Sequence, residues 1–180
     1  MKFEILLRNF SKSHLAAFLF IILLFPSRSE AQNYKIHSLF MYKFIQYIEW
    51  PDKDASGSFV IGVVGNSPMQ TELESLAASK KAGNRTIIIK KLSASSSELG
   101  SCHIVFISEN QSSQLSTVSS KLQGKPTLIV SETSAGAKKG AEINFLIIED
   151  KMKFELNKTA IERQGLKVSG DLIKLSIVVG

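Results

Sequence analysis

Cys102 and His103 are neighbours in the sequence, and their types could together perform nucleophilic catalysis. A cysteine becomes a nucleophile when a histidine takes its proton, which requires the two side chains to lie on the same side of the backbone. The pair opens an apolar run, CHIVFI, that predicts a β-strand, and adjacent strand residues point to opposite faces of the sheet. We therefore expect a buried structural thiol and no catalytic Cys–His pair.

The other histidines do not form a metal-binding pattern. His37 and His103 have no further His or Cys at the spacing that zinc sites use, and His14 lies in a segment that we expect to be removed. The GxSxG, Walker and GxGxxG motifs are also missing from the sequence. The sequence thus predicts no catalytic residue, no metal and no cofactor.

Four polar residues follow predicted strands and could line a small pocket. They are Asn66, Ser67, Ser108 and Ser131. In a doubly wound sheet, ligands bind outside the carboxyl ends of the strands, and free amides at a helix start favour an anion. A pocket for a small anionic ligand is therefore one interpretation. The other is that Ser67 only caps its helix, with Gln70 completing a capping box, while the remaining loops are solvated.

The elements that would position these residues alternate between strands and helices. The predicted strands cover residues 59–64, 86–89, 103–107, 127–130, 143–148 and 152–156, and the predicted helices cover 34–48, 67–79, 113–122, 157–165 and 169–178. This alternation with mostly apolar strands predicts a single α/β domain of the Rossmann-like, doubly wound type. We expect a mostly parallel sheet that ends in a C-terminal β-hairpin and short helices.

The first predicted helix carries more large apolar side chains than one buried face requires. Ile36, Leu39 and Phe44 belong to a stripe at helical spacing, which Met41 and Ile45 widen. A second contact surface would use the excess, and the aromatic candidates for a partner or dimer interface are Phe40, Phe44, Tyr47 and Trp50. The alternative is that these rings only fill the core.

Residues 1–31 have the organisation of a secretory signal peptide. A basic start that includes Lys2 and Arg8 precedes eleven apolar residues at 15–25, and a small-x-small pattern ends at Ala31. We expect export, cleavage after about Ala31 and a single domain over residues 32–180. An uncleaved N-terminal anchor is the alternative. Since Cys102 is the only cysteine, the exported chain has no internal disulfide.

The charge distribution does not indicate a nucleic-acid partner. The whole chain has a formal charge of +6, and removing residues 1–31 takes away four cations and two acids, which leaves +4. The remaining lysines are scattered and are not interleaved with aromatic residues as in a nucleic-acid surface. Solvent-exposed faces of the domain explain these lysines better than a nucleic-acid surface does.

The order of motifs resembles the YfiR-like family of periplasmic regulators. FMYKFIQYIEWP is followed by FVIGVVG, then by CHIVFIS, INFLIIEDKMKFELN and AIERQGLKVSG. The resemblance spans residues 32–180 and implies an exported, non-enzymatic and often dimeric α/β domain. It also implies a role in binding and inhibiting the periplasmic part of an inner-membrane diguanylate cyclase, which lowers cyclic di-GMP and biofilm formation.

Two points stay open beside this resemblance. Family members can carry further cysteines that pair, whereas Cys102 is alone here, so this chain lacks the second cysteine that a redox switch of that kind uses. The alternative function is a periplasmic small-molecule-binding module that serves another membrane receptor or a sensor kinase.

Overall fold

The computed structural model describes residues 28–51 and 57–180, and the side chains from Asn33 onward. Most of the described residues are organised around a sheet of eight strands. The strands of the described chain are β1 Ile48–Glu49, β2 Phe59–Val64, β3 Lys81–Ala82, β4 Arg85–Leu92, β5 Ile104–Ile107, β6 Leu128–Ser131, β7 Ile143–Ile148, β8 Lys151–Leu156, β9 Lys167–Val168 and β10 Ile177–Val178. The α-helices are α1 Arg28–Tyr47, α2 Met69–Ser79, α3 Leu115–Leu122, α4 Lys158–Arg163 and α5 Gly170–Leu175. Within the described residues, 3-10 turns cover Ser97–Ser101, Glu109–Gln114 and Gly136–Lys139.

The sheet has the strand order β10-β8-β7-β6-β5-β2-β4-β3. Strand β2 lies inside the sheet and pairs in parallel with both β4 and β5. The chain therefore places β4 beside β2 first, and then crosses over to place β5 on the other side of β2. The order of the strands reverses between β2 and β5, which is where doubly wound proteins place their ligands.

Helices cover both faces of this sheet, which gives two separate cores. One core lies under α1, α2, α4 and α5 and includes Phe44, Phe59 and Phe106. The other lies under α3 and includes Val105 and Val118. The predicted doubly wound α/β domain is confirmed, and the central strands β2, β5 and β6 are buried on both faces as parallel strands are.

The six predicted strands agree closely with the structure, whereas the two-residue strands β1, β3, β9 and β10 were not predicted. Strands β2 and β7 have the predicted bounds, whereas β4 is longer than predicted at both ends. The predicted hairpin is confirmed, since β7 and β8 pair antiparallel across Glu149 and Asp150. These two residues have φ angles of 50° and 57°, as a two-residue hairpin turn requires.

The C-terminal helix predicted over residues 169–178 is wrong in its second half. Ser169 caps α5 by accepting a hydrogen bond from the Leu172 amide, but the helix ends at Leu175. Ile177 and Val178 then form β10, which pairs in parallel with β8. Residues 177–179 are β-branched and the edge of β8 is free to accept a partner strand, so the extended conformation is preferred.

Asn157 caps α4, because its side-chain oxygen accepts a hydrogen bond from the Ala160 amide at 2.8 Å. Asn157→Ala should lower the free energy of unfolding by about 1 kcal/mol, since the amide loses its acceptor. Asn157→Asp keeps an acceptor at that position and should stay close to the parent protein. Urea denaturation of the two variants measures the difference, and equal stability of both would show that the cap contributes nothing.

Contacts divide the chain into two units, residues 1–32 and residues 33–180. The second unit contains the whole sheet. Of the first unit, only the first turn of α1 lies within the described residues. The signal peptide and its cleavage after Ala31 remain predictions, because they fall largely outside those residues. Among the helices that the structure describes, none is long and apolar enough to span a bilayer.

Candidate functional site

Helix α1 packs against the sheet through a stripe that differs from the predicted one. The stripe consists of His37, Met41 and Phe44, spaced four and three apart, and Ile48 in the adjoining strand β1 is also buried. The prediction placed Leu39 in the buried stripe, yet Leu39 is 55 % exposed, while Met41 is completely buried. Ser38 is also buried, and its hydroxyl donates to the Lys35 carbonyl.

Aromatic rings fix this orientation of α1. The Phe44 ring contacts Phe145 and Phe154 of the hairpin, with centroid distances of 5.7 and 5.3 Å. The Phe40 ring lies over the same two side chains at 6.4 and 5.5 Å. The C-terminal end of α1 is held separately, because Ile48 pairs with Val168 in the small β1–β9 sheet. Residue 48 is therefore in a strand and not in the predicted helix.

The outward side of α1 leaves apolar side chains in solvent. Ile36 is 38 % exposed and Leu39 is 55 % exposed. Phe40 and Tyr47 are partly exposed on the same helix, and the Lys43 ammonium lies 5.6 Å from the centre of the Tyr47 ring. We call Ile36, Leu39, Phe40 and Tyr47 the α1 face. Two of its members, Ile36 and Leu39, were predicted to be buried, so sequence reasoning missed them as surface residues.

The four predicted interface residues have different positions. Phe44 is completely buried, so its side chain is not available to a partner. Trp50 is half-buried, and its ring nitrogen donates to the His103 carbonyl at 3.2 Å while its ring meets Phe59 edge-on. Phe40 and Tyr47 remain on the α1 face. Sequence reasoning selected large aromatic rings, whereas packing decided which of them reach the surface.

Two of the four predicted pocket residues are inside the protein. The Ser108 hydroxyl lies 2.8 Å from the Val64 carbonyl and 2.8 Å from the Asn110 side-chain oxygen. The Ser131 hydroxyl donates to the Asn144 side-chain oxygen at 2.6 Å. Both serines are at most 1 % exposed. Their hydroxyls stabilise the strand ends and cannot contact a ligand without rearrangement.

The other two predicted pocket residues, Asn66 and Ser67, are accessible to solvent, but they make different contacts. Asn66 lines an open cleft of about 510 Å³ beside Lys91, whose ammonium donates to the Asn66 side chain at 2.7 Å. The Ser67 hydroxyl accepts a hydrogen bond from the amide of Met69, the first residue of α2. Gln70 binds Glu74 instead of completing the predicted capping box. The four residues therefore do not form one pocket.

A buried polar cluster joins the N-terminal half of α1 to the carboxyl end of β6. Glu132 accepts hydrogen bonds from the Tyr34 hydroxyl and the Glu109 amide, and burial raises the pKa of this carboxyl to about 7. A Glu132 oxygen is 3.9 Å from His37 Nδ1, which has no hydrogen-bond partner among the described residues. Burial lowers the pKa of His37 to about 4, so the imidazole is neutral at neutral pH.

Cys102 and His103 point to opposite faces of the sheet, as predicted. The Cys102 sulfur lies beside Gly62 and Leu92, whereas the His103 ring stacks on Phe59 at 4.4 Å. Burial raises the pKa of the Cys102 thiol to about 11, so it is protonated at neutral pH and is a poor nucleophile. Within residues 28–51 and 57–180, no three His, Cys, Asp or Glu side chains converge on a possible metal site.

The sequence profile of the YfiR/HmsC-like family matches residues 34–177, from the start of the described side chains in α1 to β10. The chain belongs to the YfiR/HmsC-like family. The resemblance that the motif order indicated is therefore confirmed. YfiR/HmsC-like proteins are periplasmic regulators. No curated protein gave a significant match to the sequence.

Proposed function

We propose that the protein binds the periplasmic part of an inner-membrane signalling protein and holds it inactive. The partner that we propose is a diguanylate cyclase, so that binding lowers cyclic di-GMP and limits biofilm formation. The protein itself has no catalytic role in this proposal, and it works as an exported regulator. Membership of the YfiR/HmsC-like family supports a periplasmic regulator in general.

The observation that carries this proposal is the exposure of apolar side chains on the α1 face. Leu39 and Ile36 lie in solvent on a helix that is otherwise packed against the core. Neighbouring apolar residues that face solvent together are typical of a protein contact surface. Phe40 and Tyr47 add aromatic area at its centre and end, and aromatic residues are enriched among the side chains that dominate binding energy.

The mechanism follows from differential affinity. A regulator shifts a partner towards its inactive state only to the extent that it binds that state more tightly. For a tenfold shift, the difference in binding free energy is about 1.4 kcal/mol, which one well-packed apolar side chain can supply. The α1 face therefore has enough contact residues for inhibition without any chemical step.

Leu39→Asp should weaken capture of the cyclase at least tenfold, because an aspartate in an apolar contact must be desolvated without a partner. The measurement is a pull-down of the detergent-solubilised cyclase from a dilution series, together with cyclic di-GMP levels in cells. Cyclic di-GMP should rise in cells that produce the variant. Leu175→Asp is the matched control, since Leu175 is 62 % exposed on α5 and lies outside the α1 face.

Equal capture of the cyclase by the parent and by folded Leu39→Asp protein would contradict the α1 face as the binding surface.

We also propose that the protein forms a homodimer. Sedimentation analysis of the parent and of Leu39→Asp tests whether the dimer uses the same face. Loss of the dimer together with loss of capture would mean that self-association and partner binding share these residues.

The second candidate function is a small-molecule-binding module that serves a membrane receptor. The predicted pocket at the carboxyl ends of the strands gives it little support, because Ser108 and Ser131 are buried. A polar cleft at the opposite edge of the sheet favours it instead, and this cleft is lined by Lys138, Glu142 and Arg163.

A further inference from the structure

A cleft of about 540 Å³ lies at the edge of the sheet where β6 and β7 begin. It is enclosed by the C-terminal half of α3, the turn Gly136–Lys139 and α4. Its volume is within the range of small-molecule sites, and its lining residues are mostly polar. None of the predicted pocket residues lies in it.

The floor of the cleft is a buried carboxyl group that is held by the backbone. Glu142 is 3 % exposed, and one carboxyl oxygen accepts a hydrogen bond from the Ile129 amide at 2.6 Å. The other oxygen accepts from the Gln164 side chain at 3.3 Å. The Gln164 oxygen in turn accepts from the Gly124 amide at 2.7 Å. This chain of bonds fixes Glu142 in place below the opening.

The rim of the cleft is cationic. Lys138 and Arg163 are exposed there, and neither forms an ion pair within the described part of the chain. Glu142 is the only acidic residue among the described residues that line the cleft. The Arg163 Nε donates to the Thr159 carbonyl at 3.4 Å, so a ligand that enters the cleft meets the Lys138 ammonium and the remaining N–H groups of Arg163.

The state of Glu142 strengthens this cationic character. Burial raises the pKa of its carboxyl to about 8, so the group is neutral at neutral pH. A neutral carboxyl group carries a hydroxyl hydrogen, and the bonds described above all use Glu142 as an acceptor. That hydrogen is available for an acceptor oxygen in the cleft. A protonated carboxyl can thus act as a donor at an anion site, whereas an ionised one would repel the anion.

We propose that this cleft binds a small oxyanion, a carboxylate or a tetrahedral anion, between Lys138, Arg163 and the carboxyl group of Glu142. The two cations supply charge-assisted hydrogen bonds at the rim, and Glu142 donates from the floor. The Ser119 hydroxyl, which also lines the cleft, is a further donor. The inference does not rest on the proposed cyclase partner, because no residue of the α1 face takes part.

The test is calorimetric titration of the purified protein with two probes, succinate and sulfate, at constant ionic strength. Saturable binding of succinate alone identifies a carboxylate site, and binding of sulfate identifies a site for tetrahedral anions. Lys138→Gln and Arg163→Gln should each weaken binding about tenfold, since each removes one charged donor. Lys153→Gln makes the same charge change on β8, outside the cleft, and should leave the affinity unchanged. Binding of neither probe, or equal weakening by all three variants, would overturn the proposal.

A pH series tests the role of Glu142. The charged groups that face it are Lys138 from the turn and Arg163 from α4, and α3 contributes no charge to the cleft. Sulfate keeps its charge over the whole series, so its affinity for the parent should fall as the pH rises from about 7 to about 9 and Glu142 ionises. Glu142→Gln should bind with little pH dependence. If the parent itself bound sulfate equally at both ends of the series, Glu142 would not be the donor.

Discussion

We expect Phe44→Ala to lower the free energy of unfolding by about 4 kcal/mol, because it removes a completely buried ring from the core. The Phe44 ring contacts Phe145 and Phe154, and the space that it leaves cannot be refilled without moving α1 on the sheet. A loss of this size corresponds to roughly 10 °C in melting temperature for a domain of this length. Urea denaturation followed by circular dichroism measures it.

Leu39→Ala is the matched control on the same helix. Leu39 is 55 % exposed, so its truncation should cost less than about 1 kcal/mol. The pair of variants therefore separates the two roles of α1, since Phe44 supports the fold and Leu39 is free for a partner. If Leu39→Ala destabilised the protein as much as Phe44→Ala, Leu39 would have to lie in the core and α1 would have to be rotated on the sheet.

The second large effect is a loss of stability as the pH rises from about 5 to about 8. Burial raises the pKa of Glu142 from its ordinary value near 4.5 to about 8 in the folded protein. Below pH 4.5 the group is protonated in both states, so its contribution to stability is fully present. Between the two pKa values only the unfolded chain releases the proton, and stability falls by about 1.4 kcal/mol per pH unit. Over the whole window between the two pKa values the loss is about 5 kcal/mol.

Glu142→Gln should remove this part of the pH dependence, because glutamine does not ionise. The free energy of unfolding of Glu142→Gln should therefore increase relative to that of the parent from about pH 5 to about pH 8. Urea denaturation at each pH measures this difference. Glu49→Gln, at an exposed position on β1, is the control and should keep the slope of the parent. A parallel pH dependence of the parent and Glu142→Gln would show that the Glu142 carboxyl ionises normally in the fold.

Two other buried groups change how the free energy of unfolding depends on pH. Glu132 has a folded pKa of about 7, so it acts in the same direction as Glu142 and its contribution is lost between about pH 4.5 and 7. His37 acts in the opposite direction, because its pKa is lowered from 6.5 to about 4. Its contribution is present above pH 6.5 and is lost as the pH falls towards 4, which offsets part of the gain on acidification.

The strands could be predicted from the sequence because their signals are local. Apolar runs of four to six residues, such as FVIGVV in β2 and INFLII in β7, are bounded by turn residues and need no tertiary information. The α5–β10 segment failed because its conformation depends on the edge of β8. Once that edge is present, Ile177 pairs with Glu155 and the helix ends early.

The candidate sites could be predicted only in part, since burial is not a local property. Helix α1 is apolar around most of its circumference, so its sequence is compatible with more than one buried stripe. The hairpin rings Phe145 and Phe154 decide that Phe44 faces inward, which leaves Leu39 outside. Glu142 gave no signal at all, because nothing in its neighbourhood in the sequence marks it as buried.

The sequence by itself determined the family, the alternation of strands and helices and the buried thiol at Cys102, since apolar periodicity and motif order are properties of contiguous residues. Only the tertiary structure decided that Leu39 faces solvent while Phe44 does not, and that Glu142 lies beneath Lys138 and Arg163. These arrangements depend on residues distant in the chain that meet across the sheet. The packing of the two faces therefore fixes which side chains are available for binding, and a local pattern cannot contain that information.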